Sequence, residues 1–105
     1  MSTHFLVMKW DYTYDKESTW FDEESGESRY ELIAGASYAL PHIRKTLEIT
    51  SVTIDGERIT AELCADHQTH VVRNNGEAVV GRADDDYMVA GDSVSQTLCM
   101  TFTIE

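Results

Sequence analysis

The sequence predicts one all-β domain over residues 1–105, an antiparallel sandwich or a closed barrel of about eight strands with a four-strand meander at its centre. Three observations lead to this fold class. Apolar and polar residues alternate near both ends of the chain. Turn signals that contain Gly separate short runs rich in Val, Ile, Leu and Thr. The 42% hydrophobic content is enough for a buried core.

The first predicted strand runs from His4 to Tyr14. Its interleaved positions carry mostly charged and hydroxyl side chains, which excludes a helix and indicates a sheet with one face in solvent. The other face carries Leu6, Met8, Trp10, Tyr12 and Tyr14.

Residues 16–28 are mostly acidic and show no sustained period, so we predict a loop with a turn at Ser25-Gly26. Trp20 and Phe21 within this loop have two interpretations. They fold back over an open end of the core, as large aromatic residues commonly do, or they are exposed anchors for a partner.

Residues 29–40 fit two patterns. Alternate residues from Tyr30 to Leu40 share a strand face, whereas several of the same residues form one helical stripe, which the Ala content favours. We predict a strand with a bend or bulge at Gly35. Pro41 ends this strand and biases the residue before it towards an extended backbone.

The central feature of the chain is a hairpin over residues 45–65, in which two apolar runs flank Asp55-Gly56. Gly adopts positive φ without a steric cost, so this pair is a strong turn signal. Two registers fit the pattern, and both bury Leu47, Ile49, Ile59 and Leu63.

The two registers differ in the length of the turn. A two-residue loop at Asp55-Gly56 places Val52 opposite Ile59. It needs a bulge near residues 50–51, because Leu47 and Ile49 would otherwise face away from the core. A three-residue loop pairs Leu47 with Leu63 and Ile49 with Ala61 without a bulge.

The segment that follows predicts a continuation of the meander. Residues 66–69 form a short turn into a strand at residues 70–73. Asn75-Gly76 is a second hairpin signal, and it places Val72 opposite Val79. The predicted meander therefore covers residues 45–82.

The last part of the chain predicts a loop and two strands. Residues 82–86 are polar and indicate a loop, and Gly91-Asp92 predicts a turn that sets Val89 opposite Val94. The final strand alternates as clearly as the first, with hydroxyl side chains along its second face.

Charge restricts the possible partners. The net charge of −11 argues against nucleic acid and against an anionic membrane surface, and it suits a basic protein partner. No apolar run approaches the roughly 18 residues of a membrane span, and the first residues do not resemble a signal peptide. We therefore predict a cytoplasmic protein in which Cys64 and Cys99 are buried free thiols, and a disulfide between them is the alternative if their strands are neighbours.

No motif for catalysis or cofactor binding stands out. A nucleophile elbow is missing, and the glycine-containing residues 76–81 lack the Lys-Ser/Thr pair of a phosphate-binding loop. We predict that the protein is not an enzyme and has no cofactor. Cys64, His67 and His70 have the chemistry of zinc ligands, but a polar turn beside a buried cysteine also explains them.

The leading functional hypothesis is a non-enzymatic acidic interaction domain that binds a protein partner or a second copy of itself. Its partner-binding residues are Trp20, Phe21, Asp22, Glu23 and Glu24. One alternative is a small β-barrel that binds a small apolar or aromatic ligand through Trp10, Tyr12, Tyr14, Tyr30 and Tyr38. A second alternative is a metal-binding domain that uses Cys64, His67 and His70.

Overall fold

The computed structural model describes residues 4–17 and 19–105, and within them every regular element is a strand. Antiparallel pairing joins all neighbouring strands. The strands are β1 (Phe5–Lys16), β2 (Trp20–Glu31), β3 (Ser37–Ala39), β4 (Thr46–Asp55), β5 (Arg58–Ala65), β6 (Gln68–Arg73), β7 (Val79–Val89) and β8 (Asp92–Ile104).

Two four-stranded sheets pack face to face as a β-sandwich. The front sheet has the strand order β2-β1-β8-β7, and the back sheet has the order β3-β4-β5-β6. The predicted all-β fold class is therefore confirmed as a sandwich, and the closed-barrel alternative is wrong. The barrel fails because no hydrogen-bonded ladder joins an edge of one sheet to an edge of the other.

The core lies between the two sheets and is built from their alternating inward side chains. The four residues that both hairpin registers were expected to bury are all buried, with at most 4% of their surface exposed. These residues are buried because side chains alternate between the two faces of a strand, and this alternation does not depend on which residues form the turn. The core also contains Leu6, Met8, Val72, Leu98, Met100 and Phe102.

The central hairpin has a register that neither prediction gave. Asp55 pairs with Arg58, so the two-residue loop is Gly56-Glu57. Gly56 has a φ of 62°, as the first loop position of a type II′ turn requires, whereas a turn at Asp55-Gly56 would need a left-handed Asp. The bulge predicted near residues 50–51 is confirmed, because the register shifts between Ile49 and Ser51.

The predicted loop over residues 16–28 is wrong, because most of it is strand β2. Pairing with β1 is unbroken from Phe5 opposite Glu31 to Lys16 opposite Trp20. The predicted turn at Ser25-Gly26 is also wrong, since Gly26 pairs with Trp10 within the strand. Both faces of β2 are exposed from Trp20 to Glu27, so no alternation of polarity marks it as a strand.

The predicted strand over residues 29–40 is only partly present. Residues 29–31 end β2, and the three residues of β3 are the other strand segment. Between them the chain bends at Gly35, as predicted, with a φ of 87°.

The connection after β6 crosses between the sheets, so the predicted hairpin at Asn75-Gly76 is wrong. Val72 pairs with Ala61 in the back sheet, whereas Val79 pairs with Phe102 in the front sheet. The four-strand meander is therefore β3 to β6 and does not extend to residue 82. A turn signal marks a reversal of the chain but not the sheet that the next strand joins.

The last hairpin is also displaced from its prediction. Residues 82–86 are not a loop but the middle of β7. Val89 pairs with Asp92, so the loop is Ala90-Gly91 and Val94 lies opposite Tyr87. The left-handed backbone of both loop residues, with φ of 51° and 87°, is typical of a type I′ turn.

Candidate binding surface on strands β1 and β2

One end of the front sheet extends beyond the back sheet. The molecule measures 54 × 21 × 19 Å, and the twelve residues of β2 span about 40 Å at the usual rise of a strand. The back sheet reaches β2 near its Glu31 end, where Tyr38 packs on Tyr30 with ring centroids 4.8 Å apart. The other end of β2 is left exposed on both faces.

The register of β1 and β2 brings aromatic and acidic side chains onto the same inner face. Trp20 lies opposite Lys16, Asp22 opposite Tyr14, and Glu24 opposite Tyr12. Directly opposite residues on a sheet point to the same side, so the carboxylates neighbour the rings. These side chains form the aromatic–acidic cleft, an open depression of about 290 Å³ lined by Tyr12, Tyr14, Trp20, Asp22, Glu24 and His42.

His42 closes one side of this cleft from the loop between β3 and β4. Its ring stacks on Tyr12 at a centroid distance of 4.7 Å and an angle of 25°, and it lies 5.2 Å from the Trp10 ring. Its Nε2 atom is 3.0 Å from a carboxylate oxygen of Glu24. The loop adopts a left-handed backbone at His42, with a φ of 65°, which costs a non-glycine residue about 1 kcal/mol. The ring contacts offset that cost.

An ion pair between an exposed guanidinium and a buried carboxylate holds the loop that carries His42. Asp85 on β7 is 9% exposed and accepts hydrogen bonds from Arg44 Nε at 3.1 Å and Nη2 at 3.3 Å. The Arg44 side chain also lies over the Tyr87 ring, 4.9 Å from its centroid. Hydrogen bonds from Arg44 lower the pKa of Asp85 below its ordinary value, so the pair is charged at neutral pH.

Tyr12, which lines the cleft, makes a buried hydrogen bond through its hydroxyl group. The side-chain amide of Gln96 donates a hydrogen bond to the hydroxyl of Tyr12, and both residues are buried. Burial raises the pKa of Tyr12 above its ordinary value, and this effect exceeds the opposing one of the Gln96 hydrogen bond. The phenol is therefore neutral, and it contributes a rigid surface and no ionised group.

Beside this cleft, β2 carries a strong negative charge. Among the described residues, no basic side chain lies within ion-pair distance of Asp22, Glu23 or Glu27. Arg29, the basic residue of β2, is paired with Glu105 at 3.0 Å. The exposed end of β2 therefore carries uncompensated carboxylates on both faces of the sheet.

The structure separates the five predicted partner-binding residues between two faces. Trp20 and Phe21 are 63% and 60% exposed, so the interpretation that they cover the core is wrong. Trp20, Asp22 and Glu24 lie together on the inner face, and Phe21 and Glu23 lie on the outer face. This division follows from the alternation of side chains along a strand.

The five predicted ligand-binding aromatics do not line one cavity. Trp10, Tyr12 and Tyr14 follow each other along the inner face of β1. Tyr30 and Tyr38 pack on each other farther along β2, where the Tyr38 hydroxyl donates to the carbonyl of Glu31 at 2.9 Å. The space beside Trp10 is filled, because its ring lies over Gly26.

The structure does not bring Cys64, His67 and His70 together. Leu63 pairs with His70 on the buried face of the back sheet, so Cys64, one residue later, points to the opposite face. Within residues 4–17 and 19–105, no three His, Cys, Asp or Glu side chains form a group that could hold a metal ion.

Both cysteines are free thiols, but the prediction that they are buried is wrong for Cys99, which is exposed, and only partly right for Cys64. They lie in different sheets, Cys64 in β5 and Cys99 in β8. Each alternates with buried neighbours and therefore faces away from the core.

No pattern in the sequence indicates His42, which lines the cleft, or Gln96, which donates a hydrogen bond to Tyr12. Both depend on tertiary contacts with Tyr12, and neither belongs to a recognisable motif. β2 itself offered no signal, because its residues are exposed on both faces from Trp20 to Glu27 and their polarity does not alternate.

Comparison of the chain with protein-family models, with curated proteins and with solved structures found no match. In the part of the chain that the structure describes, no helix is long and apolar enough to cross a membrane. Fold and surface together define a β-sandwich with an exposed acidic and aromatic strand at one edge.

Proposed function

We propose that this protein is a non-enzymatic interaction domain whose strand β2 and aromatic–acidic cleft bind a basic segment of a protein partner. The observation that carries the proposal is the position of Trp20 and Phe21. Both are more than half exposed, and they begin an edge strand that contains five carboxylates, those of Asp22, Glu23, Glu24, Glu27 and Glu31.

The two kinds of side chain support different parts of binding. Carboxylates attract a basic partner and orient its approach. Aromatic rings supply apolar area that loses water when the partner docks. A Lys or Arg side chain over the Trp20 indole adds a cation–π interaction of roughly 0.5–2 kcal/mol, depending on how far it is desolvated.

The charge of β2 favours a different protein over a second copy of this chain. In a symmetric dimer through β2, the five carboxylates of one copy would face the five of the other. Like charges directly opposite each other across a strand pair are destabilising. A basic segment turns the same charges into an attraction.

The other sequence-based alternatives receive less support. The small-molecule hypothesis assumed a barrel interior, and the two sheets do not close into a barrel. The metal-binding hypothesis required three side chains, but only Cys64 and His67 line a common depression, whereas His70 lies on the other face of the back sheet. The cytoplasmic location and the lack of enzymatic activity stay predictions from the sequence.

The test is calorimetric titration with a synthetic peptide of alternating lysine and threonine. Wild type is expected to bind it with an affinity that falls as salt is added. The double variant Trp20→Ala/Phe21→Ala keeps all charges and is expected to bind at least about tenfold more weakly, a loss of about 1.4 kcal/mol.

A matched control is Val80→Ala/Met88→Ala, which removes two side chains that are 72% and 67% exposed on β7, at the opposite edge of the same sheet. This control is expected to bind as wild type does. Equal losses in both double variants, or unchanged binding by Trp20→Ala/Phe21→Ala, would contradict the proposal.

A further inference from the structure

We propose that the basic segment binds as an additional β-strand along the free edge of β2. This inference rests on the proposed function and specifies how the partner is held. Strand addition uses the backbone groups of an edge strand for affinity and the side chains on both faces for selectivity.

The edge of β2 is long and regular. β2 is the terminal strand of the front sheet, and its pairing with β1 continues over twelve residues without a bulge. Lys, Pro and bulges commonly prevent an edge from pairing with another chain. The β2 segment has none of these, and its charge is entirely acidic except at Arg29.

Hydrogen bonds at Leu32, Glu23 and Glu31 show which backbone groups of this segment face β1 and which face away from it. The N–H of Leu32 donates to the carbonyl of His4 at 3.0 Å, towards β1. The N–H of Glu23 donates instead to the Asp22 carboxylate at 2.9 Å, and the carbonyl of Glu31 accepts from the Tyr38 hydroxyl. Backbone groups alternate in direction along an antiparallel strand.

The odd-numbered residues of β2 therefore direct their N–H and carbonyl groups outward. The Glu31 end is occupied by Tyr38, and this leaves an open edge from Phe21 to Arg29. The N–H of Glu23 is bonded to the neighbouring Asp22 side chain, which an incoming carbonyl can replace.

The other edges are less suited to strand addition. In the back sheet the edge strands are short, with three residues in β3 and six in β6, and β4 beyond β3 is interrupted by the bulge near Thr50. The edge of β7 is partly occupied, since the N–H of Asp84 donates to the Asp66 carboxylate at 3.2 Å. Among the described strands, β2 combines the longest regular edge with exposed aromatic side chains.

Charge complementarity identifies the occupant as a basic extended segment. A strand beside β2 would place alternate side chains next to Asp22 and Glu24 on the inner face, and next to Glu23 and Glu27 on the outer face. Lysine or arginine on either face therefore meets carboxylates. At the Trp20–Phe21 end, both faces also offer an aromatic ring.

The first experiment uses two isomers of the lysine–threonine peptide, one N-methylated at every lysine and the other at every threonine. The isomers have the same charge and composition, but each has lost the N–H groups along one edge. Because lysine on either face of β2 meets carboxylates, each isomer keeps one edge that can dock, and both are expected to retain most of the affinity. The same peptide N-methylated at every residue has lost the N–H groups along both edges and is expected to lose at least tenfold in affinity. Binding of this fully methylated peptide as tight as that of the unmodified one would overturn strand addition.

The second experiment changes the protein at Ser25, whose outward N–H makes no bond to β1. Ser25→Pro removes this donor and places a ring on the edge, and a proline is tolerated where the N–H of an edge strand faces solvent. Ser25→Ala is the control. We expect Ser25→Pro to abolish peptide binding and Ser25→Ala to retain it; equal binding by the two variants would overturn the proposal.

Further outcomes separate the two proposals. If wild type does not bind the unmodified peptide, the proposed function fails together with strand addition. If binding depends on Trp20 and Phe21 but not on peptide N-methylation or Ser25→Pro, strand addition alone fails. A wild-type dimer that Ser25→Pro dissociates would show that a second copy occupies the edge, and it would overturn the basic segment as the occupant.

Discussion

At the scale of single residues, the cleft depends on a chain of contacts between side chains that are distant in the sequence. His42 reaches Tyr12 and Glu24 from a loop, and Arg44 in the same loop is held by Asp85. The carboxylate of Asp85 is buried, so its ionised form is stabilised by the positive charge of Arg44 and by the N–H groups that Arg44 donates to it. A change at Asp85 therefore affects a binding surface that it does not touch.

We expect Asp85→Asn to lower the free energy of unfolding at neutral pH. Arg44 lowers the pKa of Asp85 in the folded state, so its stabilising contribution is complete above the unfolded-state pKa, ordinarily 3.8. That contribution is lost as the pH falls through the lower folded-state pKa. The difference between wild type and variant is therefore expected to be largest at neutral pH and to shrink in strong acid. Urea denaturation at both pH values measures it.

Asp86→Asn is the control for this prediction, because Asp86 is the next residue on β7 and is exposed. It is expected to have little effect at either pH. A deficit in Asp85→Asn that stays constant from neutral pH into strong acid would show that the lost contribution is not electrostatic.

At the scale of elements, the first and last strands were predictable from sequence and β2 was not. β1 and β8 each bury one face, so the apolar and polar residues alternate along them. Over most of its length β2 buries neither face. Its pairing depends on β1, and its composition is typical of a solvated loop. The same composition makes Ser25-Gly26 resemble a turn.

Gly26 has a packing role in the hairpin of β1 and β2. A Cβ atom at this position would lie 2.5 Å from Trp10 Cζ2. The Trp10 ring also donates a hydrogen bond from Nε1 to the Ser28 hydroxyl at 3.2 Å, and this bond fixes the ring across the strand. The absence of a side chain at Gly26 is what allows the ring to lie flat there.

We expect Gly26→Ala to destabilise the protein by about 1–3 kcal/mol, because the ring must move away from the strand. In an ordinary strand the same substitution would be neutral or stabilising, since Ala restricts the unfolded chain more than Gly does. Urea denaturation of Gly26→Ala measures the effect.

The matched control is the same substitution made in a Trp10→Ala background, where the Cβ meets no ring. There Gly26→Ala is expected to have no destabilising effect. A similar loss of stability in both backgrounds would assign the cost to the backbone of β2 and not to Trp10.

At the scale of the whole molecule, two crossings, one between β2 and β3 and one between β6 and β7, divide the eight strands between two sheets. Asn74 begins the second crossing and stays attached to the back sheet. Its side-chain oxygen accepts from the N–H of Ile59 at 2.9 Å, and its amide donates to the carbonyl of Glu57 at 2.7 Å. These two bonds direct the chain towards the front sheet before the turn at Gly76.

We expect Asn74→Ala to lower the free energy of unfolding by about 1–3 kcal/mol, because two backbone groups of the back sheet lose their partners. The measurement is urea denaturation. Asn75→Ala is the control, since the Asn75 side chain makes one exposed hydrogen bond, to the N–H of Glu77. Equal effects of the two variants would show that Asn74 does not anchor the crossing.

By itself, the sequence determined the all-β class, the side chains that enter the core and the bend at Gly35. These follow from side-chain alternation and backbone conformation, which are local properties of the chain. Only the tertiary structure decided that β2 is a strand, that β6 and β7 belong to different sheets, and that His42 meets Tyr12 and Glu24. A strand exposed on both faces has no polarity pattern, and a turn does not encode which sheet receives the next strand.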